Sequence, residues 1–113
     1  MIKVSNNNAR HYKWGNDCDS WVLVEVPDLS VKMERIPPGE SDQPHRHKFA
    51  RQFFFITAGK ATFQFEDTSI TMEEGEGIFV PPGTKHFICN HMHYPLWFFV
   101  ISQPSVSNDR ENT

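Results

Sequence analysis

Two histidines one residue apart are the first residues of this chain whose types and spacing could do chemistry. They are His45 and His47, in the stretch PHRHKFARQFF. In an extended strand, residues i and i+2 project from the same face, so both imidazoles can reach a single ion at about 2.0 to 2.2 Å. Because such pairs are common by chance, the spacing by itself is only a weak indication of a metal site.

The surrounding residues strengthen this indication. Gly39, His45, His47, Gln52 and Gly59 follow the spacing G-x5-H-x-H-x4-[E]-x6-G, with a glutamine at the position of the acid. A second stretch, GEGIFVPPGTKHFICN, reads G-x5-P-x-G-x2-H-x3-N and is defined by Gly75, Pro81, Gly83, His86 and Asn90. These are the two sequence motifs of the cupin family, and the chain resembles a small single-domain cupin over roughly residues 20 to 103.

The resemblance implies an all-β fold, the double-stranded β-helix or jelly-roll barrel, with a divalent metal ion near its centre. Carried over position by position, it names His45, His47 and His86 as metal ligands and puts Gln52 in the place of the acidic ligand. The glycines and the proline of the two motifs are expected to serve turns. Asn90 is expected to form structural hydrogen bonds.

Gln52 takes away the only negative charge of this ligand set, and two outcomes stay open. In the first, a three-histidine centre keeps its metal, Gln52 is a weak ligand or binds a metal-bound water, and an anionic small molecule balances the charge. The nitrogen-rich ligands would then suit Zn2+, Ni2+, Fe2+ or Cu2+. In the second, the metal is lost and the same polar cluster binds a small organic molecule directly.

The elements that must position these residues are all predicted to be strands. Alternating runs cover Trp21–Val26 and Leu29–Ile36, and QFFFITAGKATFQFED predicts two strands around the turn at residues 58–60. Short strands are also predicted on either side of residues 75–77, in TKHFICN and in PLWFFVISQ. Short strands separated by Gly and Pro turns, with no helical pattern, indicate a sandwich or a closed barrel.

Alternation within the strands predicts which side chains share a face. In QFFFI, Gln52, Phe54 and Ile56 lie on one side, and Phe53 and Phe55 lie on the other. We predict that the second face packs against another sheet or another subunit, and the surplus of apolar surface favours a homodimer.

The walls of a substrate pocket can be predicted in the same way. Phe54, Phe79 and Phe98 are the predicted inward-facing aromatic residues, with Trp97 and Phe99 on the opposite face. Arg35 shares a strand face with Val31 and Met33, so its guanidinium clamps an anionic group if that face lines the barrel, and lies on the surface otherwise. The histidines outside the two motifs are expected to be exposed, and they are His11, His91 and His93. The location of Arg51, like that of Arg35, stays open.

Composition limits the classes of partner. A chain of 113 residues with a net charge of −3 and scattered cationic residues indicates one domain, residues 1–113, that binds neither nucleic acid nor a membrane. Cys18 and Cys89 are read as reduced thiols, and without a signal-peptide pattern the protein is expected to be cytoplasmic. Residues 1–13 and the tail QPSVSNDRENT are polar and are predicted to be a flexible leader and a tail that is frayed or laid on a neighbour.

Two functions compete at this point. The first is a metal-dependent enzyme acting on a small molecule, such as a dioxygenase, an isomerase or a lyase. The second is a non-catalytic module that binds a sugar or a small acid. The carboxylates at residues 66, 67, 73, 74 and 76 all fall in or near turns, so no proton-transfer residue is evident, which favours metal-and-oxygen chemistry or simple binding.

Overall fold

The protein is described here by a computed structural model that covers residues 1–105 and 109–113, and these residues form strands and no helix. The strands are β1 (Arg10–Trp14), β2 (Cys18–Val26), β3 (Leu29–Ile36), β4 (His45–His47), β5 (Arg51–Ala58), β6 (Lys60–Gln64), β7 (Ser69–Glu73), β8 (Gly77–Val80), β9 (Phe87–Cys89), β10 (Leu96–Gln103) and β11 (Arg110–Asn112). In the described ranges, no helix is long and apolar enough to cross a membrane.

Two layers of antiparallel strands make the fold. One layer is a six-stranded sheet in the order β1-β2-β3-β10-β5-β8. The other layer contains β7-β6-β9 and the pair β11-β4, which are joined by bridges between Ser41 and Cys89 and between His45 and His86. This arrangement is a double-stranded β-helix, so the predicted all-β jelly-roll fold is confirmed.

The core lies between the two layers. Its fully buried apolar side chains come from both sheets, and each stabilises the fold by roughly 1.5 to 3 kcal/mol relative to an exposed position. They include Ile36, Ile56, Phe63, Leu96 and Phe98. The β5–β6 turn needs a glycine, because Gly59 has a φ of +89° and a Cβ there would lie 2.7 Å from the backbone oxygen of Pro95.

The faces of β3 determine much of the interior. Ser30, Lys32, Glu34 and Ile36 point between the layers, and the alternate residues, including Met33, point outward. The inward face of this strand is therefore polar over most of its length. Alternation separates the two faces of a strand correctly, but hydrophobicity does not show which of them lines a barrel that contains a polar cavity.

Both ends of the chain differ from the prediction of a flexible leader and tail. Residues 10–14 form β1, which pairs with β2 from Arg10↔Val22 to Trp14↔Cys18. Residues 110–112 form β11, which pairs with β4 of the same chain. These segments are short and polar, but their backbone groups complete sheet edges, and that contribution does not depend on apolar side chains. Residues 106–108 of the predicted tail lie outside the described residues.

Candidate metal centre

The three motif histidines meet because β4 and the start of β9 are neighbours. His45 and His47 alternate with exposed Arg46 on β4, and both are buried. His86 pairs with His45 through two backbone hydrogen bonds of 2.9 and 3.0 Å. The ring centroid of His45 lies 4.6 Å from that of His86 and 5.1 Å from that of His47. The structure thus gathers three residues that are far apart in the sequence into one cluster.

The Nδ1 atom of each of the three histidines lies within hydrogen-bond distance of an acceptor. His45 Nδ1 lies 2.8 Å from the carbonyl oxygen of Gln43, and His86 Nδ1 lies 2.8 Å from that of Thr84. His47 Nδ1 lies 2.9 Å from Asp109 Oδ1. These acceptors require an N–H at Nδ1, so in the neutral ring each Nε2 carries a free lone pair.

Gln52 completes the cluster from β5. Its side chain is buried, and its Nε2 donates a hydrogen bond of 3.0 Å to Ser102 Oγ. Gln52 Oε1 and His86 Nε2 are buried atoms without a hydrogen-bond partner among the described residues. Because buried polar atoms are rarely left unpaired, these two atoms indicate a position where an ion or a ligand atom can bind.

The donor set fits a divalent metal ion chemically, but the side chains do not form a closed shell. Three neutral imidazoles and an amide oxygen are suitable donors for borderline ions such as Zn2+. Within the described ranges, no group of three His, Cys, Asp or Glu side chains is close enough to form a ready-made metal site.

Burial also favours the metal-binding form of the rings. It lowers the pKa of His45, His47 and His86 below the usual value of 6.5, despite opposing hydrogen bonds to Gln43, Asp109 and Thr84. Neutral imidazole is the form that coordinates, and lowering the pKa keeps it populated to more acidic pH.

The cluster opens into a cavity of about 550 Å³. Gln52, Phe54 and the three histidines line one part of it, and the rest is lined by the segment 41–43 and by residues from β1, β3, β9, β10 and β11. The lining includes Tyr12, Trp14, Lys32, Glu34, Asp42, Ile88, Arg110 and Asn112. A second depression of about 570 Å³ lies near Pro27, Phe49 and Pro104, and it contains none of the histidines.

Asp109 is a site residue that the sequence analysis missed. Its Oδ1 accepts the hydrogen bond from His47, while its Oδ2 accepts hydrogen bonds of 3.0 and 2.8 Å from the backbone N–H groups of Phe49 and Ala50. Burial acts to raise the pKa of this carboxyl, but the hydrogen bonds outweigh it and lower the pKa. A polar tail with no apolar residues to bury gave no signal for this role.

The same tail also reaches the surroundings of His45. Arg110 Nη2 donates a hydrogen bond of 3.0 Å to Asp42 Oδ1, and the other oxygen of Asp42 lies 3.6 Å from His45 Nδ1. The C-terminal strand therefore touches a partner of each histidine on β4.

Glu34 is the second residue that the sequence analysis missed, and it is a carboxyl group inside the cavity. Ser20 Oγ is its hydrogen-bond partner. Burial raises the pKa of Glu34 to about 7, against the opposing effects of the Ser20 hydrogen bond and the Lys32 charge. The polar alternation of Ser30, Lys32 and Glu34 was the available signal, and the prediction overlooked it by following the apolar face of the strand.

Two of the four predicted pocket residues lie elsewhere. Phe79 points outward from β8 and is 55% exposed, since Ile78 and Val80 occupy the inner side of that strand. Arg35 also points outward, and its Nη1 donates a hydrogen bond of 3.2 Å to Asp19 Oδ2. Both assignments are corrected, because the face chosen for each strand is the outer one.

The other two predicted aromatic residues point inward. Phe54 lines the cavity, with its ring centroid 5.9 Å from that of His86. Phe98 is fully buried behind it, 6.0 Å away between centroids, and belongs to the core. Trp97 lies on the outer face, as predicted, and stacks on Trp21 at 5.4 Å.

The remaining polar residues of the sequence analysis lie outside the cluster. His91, His93 and Arg51 are exposed, and His11 lies on the outer face with its Nε2 2.7 Å from Asp19 Oδ1. Asn90 is structural, as predicted. Its Nδ2 donates to the backbone oxygens of residues 36, 37 and 94, and its Oδ1 accepts from the N–H of residue 92.

Comparison with known proteins supports the fold described above. The chain is 26% identical over 74 residues to the uncharacterized protein MJ1618 of Methanocaldococcus jannaschii, which covers 66% of this chain and 59% of that protein. Among solved structures, it superposes with a TM-score of 0.84 on the polyketide cyclase RemF of Streptomyces resistomycificus, at 16% identity over 100% of this chain and 85% of the other. A conserved double-stranded β-helix protein of Klebsiella pneumoniae gives 0.83, at 17% identity over 100% and 97%. At such identities the structural matches establish the fold alone. The family model for the cupin domain matches residues 32–102, more than half of the chain, and the chain therefore belongs to the cupin domain family.

Proposed function

We propose that this protein binds a divalent metal ion through His45, His47 and His86, with Gln52 as a fourth, uncharged donor, and that the metal site binds an anionic small molecule. The observation that carries this proposal is the set of Nδ1 contacts, which leaves every Nε2 with a free lone pair. Gln52 Oε1, which has no hydrogen-bond partner in the described part of the chain, adds a fourth donor atom.

The uncharged donors of the proposed metal site support an anionic ligand. The four donors are neutral, so they leave the charge of a divalent ion uncompensated. Lys32 and Arg110 add two cations to the cavity lining, which also contains Glu34 and Asp42, the partner of Arg110. When bound, the metal would act as a Lewis acid toward a ligand oxygen. The chain's own side chains bind and orient the ligand, and Phe54 and Ile88 provide an apolar wall.

Elemental analysis of protein purified without a chelating tag tests the metal site. We expect about one divalent ion per chain in the wild type, and a metal content close to background in His86→Ala. His91→Ala is the matched control, because His91 is an exposed histidine outside the cluster. Equal metal content in all three proteins would contradict the proposed metal site.

A second candidate is a metal-free binding module, and one observation favours it. The histidines are clustered, but no closed group of three ligands is found in the part of the chain that the structure describes. Ligand binding by the protein with and without Fe2+, measured with small phenols, thiols and keto acids, separates the candidates. A metal-free binding module binds the same ligand equally well in both forms, whereas the proposed metal site binds it only when Fe2+ is present.

The outer face of the six-stranded sheet supports a further proposal, that the protein is a homodimer. Phe53, Phe55 and Phe79 on the outer faces of β5 and β8 are between 37% and 55% exposed. Next to them, Phe99 and Met33 continue the apolar surface in register with Phe55. Such a contiguous apolar face is typical of a surface that is covered by another protein surface.

A further inference from the structure

The cavity contains a carboxyl group that the metal site does not use. Glu34 lies on the inward face of β3, where it is opposite Ser20 of β2 and Phe98 of β10 in the sheet register. Lys32 is two residues away on the same face, and the next residue on that face, Ser30, is in register with Ser102 and through it with Gln52. Lys32 therefore lies between Glu34 and the row of the sheet that contains Gln52.

The hydrogen bonds around Glu34 leave it available to a ligand. It accepts a hydrogen bond from Ser20 Oγ, and no ion pair with Glu34 occurs between the residues that the structure describes. Lys32 Nζ donates its hydrogen bond to the Tyr12 hydroxyl at 2.9 Å instead. A carboxyl that lines a cavity and is held by a hydroxyl group rather than by an ion pair can exchange a proton with a bound molecule.

We propose that Glu34 is a proton-transfer residue that acts on an enolisable keto acid bound in the histidine cavity. This proposal rests on the proposed function, since its substrate is the anionic ligand of that site. The ligand's carboxylate lies toward the histidines and Arg110, and its enolisable carbon lies toward Glu34. The Lys32 ammonium group, held by Tyr12, is placed to stabilise the negative oxygen that develops in the transition state.

The step balances without any additional reactant. The Glu34 carboxylate takes the proton as the C–H bond next to the carbonyl breaks, and the bonding electrons move to the carbonyl oxygen. The products are an enolate and a neutral carboxylic acid. Return of the proton to carbon reverses the step, or gives an isomer if the proton returns to a different atom. The reaction class is therefore enolisation or isomerisation and needs no oxidant.

The pH dependence of this step is set by the groups that face Glu34. They come from its own strand and from four other segments, and they are Lys32, Tyr12, Cys18, Asp42 and Arg110. Burial raises the pKa of Glu34 to about 7. The carboxylate is the active base, so the rate should rise with pH through that region and level off above it.

Deuterium incorporation from D2O, followed by proton NMR, tests the proposal on the 113-residue chain as purified. The probes are acetoacetate, 2-oxoglutarate and phenylpyruvate. We expect the wild type to exchange the protons next to the carbonyl of at least one probe faster than buffer does, and Glu34→Gln to reduce this rate by about 100-fold. Glu25→Gln is the matched control, because Glu25 is an exposed residue that pairs with Arg10.

Ser20→Ala provides a measurement that a purely structural role would not change. The Ser20 hydrogen bond lowers the pKa of Glu34, so its removal should move the midpoint of the rate profile to higher pH. This variant also tests the proposal if Glu34→Gln fails to fold. A wild-type rate equal to buffer with all three probes overturns the proposal, and so does a midpoint that Ser20→Ala leaves unchanged.

The metal content of the same samples separates this proposal from the metal site. Wild-type protein that contains metal but shows no exchange contradicts the role of Glu34 and leaves the metal site intact. Glu34-dependent exchange by protein whose metal content does not respond to His86→Ala supports the proton-transfer role and contradicts the proposed metal site. Glu34→Gln should keep the wild-type metal content, since Glu34 is not among the proposed ligands.

Discussion

Gln52 is the residue that most distinguishes this site from the acid-containing cupin motif. Its Oε1 has no hydrogen-bond partner within residues 1–105 and 109–113, and its Nε2 donates a hydrogen bond to Ser102. A glutamate would place a negative charge at the same position without a large change in shape. Because Ser102 has a hydroxyl hydrogen, it can donate to a carboxylate where it now accepts from the amide.

We therefore expect Gln52→Glu to bind the metal more tightly, with a dissociation constant lowered by about tenfold or more. A competition titration with a chromophoric chelator measures the change. The matched control is Gln64→Glu, because this substitution adds the same charge on β6, outside the cavity. Equal affinities for the two variants would mean that residue 52 does not face the ion.

The three histidines predict how metal binding depends on pH. Burial lowers the pKa of each imidazole below 6.5, so protons compete with the metal only below that value. Metal retention measured by equilibrium dialysis should be constant from about pH 8 to about pH 6.5 and should fall at lower pH. Retention that is unchanged down to about pH 4 would argue against histidine ligands.

The same shifts predict the stability of the metal-free protein. The unfolded chain binds more protons than the folded chain once the pH falls below 6.5, because its imidazoles keep their ordinary pKa. The contribution of the imidazoles to stability is complete above 6.5, the pKa they have in the unfolded chain, and it is lost progressively as the pH falls below that value. The raised pKa of Glu34 stabilises the folded protein at low pH, and this contribution is lost as the pH rises through about 7. Urea unfolding of the wild type and Glu34→Gln separates the two contributions.

Among the elements, β11 links the end of the chain to the histidine strand. It pairs with all three residues of β4, and Asp109, immediately before it, binds His47 and two backbone N–H groups. A carboxylate that accepts a hydrogen bond from a metal-binding histidine fixes the orientation of the ring and determines which of its nitrogens carries the proton. Metal binding should therefore depend on the C-terminal strand.

We expect Asp109→Asn to weaken metal binding by about 10-fold to 100-fold, because the amide is uncharged and no longer holds the His47 ring as firmly. Chelator competition measures the affinity, and the visible spectrum of the Co2+ form reports on the ligand geometry. Glu111→Gln is the control, since Glu111 pairs with Arg46 on the exposed side of the same strand. Equal losses in both variants would indicate a general effect of β11 on folding.

At the scale of the whole molecule, the apolar outer face predicts the oligomeric state. The wild type should sediment as a dimer, and Phe53→Glu should sediment as a monomer with its metal content unchanged. The control is Ile70→Glu, because Ile70 is 41% exposed on the other sheet and should leave the dimer intact. Monomeric wild-type protein at micromolar concentration would contradict the proposed dimer.

The sequence by itself determined the fold and the members of the histidine cluster. The resemblance to the two cupin motifs named the turn residues and the three histidines, and period-two alternation identified the strands and the faces of β5. Turn glycines and alternating strands are local properties, because each is recognisable from its immediate neighbours.

Only the tertiary structure decided which strand faces are inside and which distant residues join the site. Alternation gave two faces for β3 and β8 without showing which one is inside, because the more apolar face of β3 is the outer one and both faces of β8 are apolar. Arg35 and Phe79 therefore lie outside, and Glu34 lies in the cavity. Asp109 is 62 residues from His47 in the sequence, and its role arises from strand pairing at the end of the chain. Long-range pairing of this kind is made by backbone hydrogen bonds, which leave no pattern in the side chains.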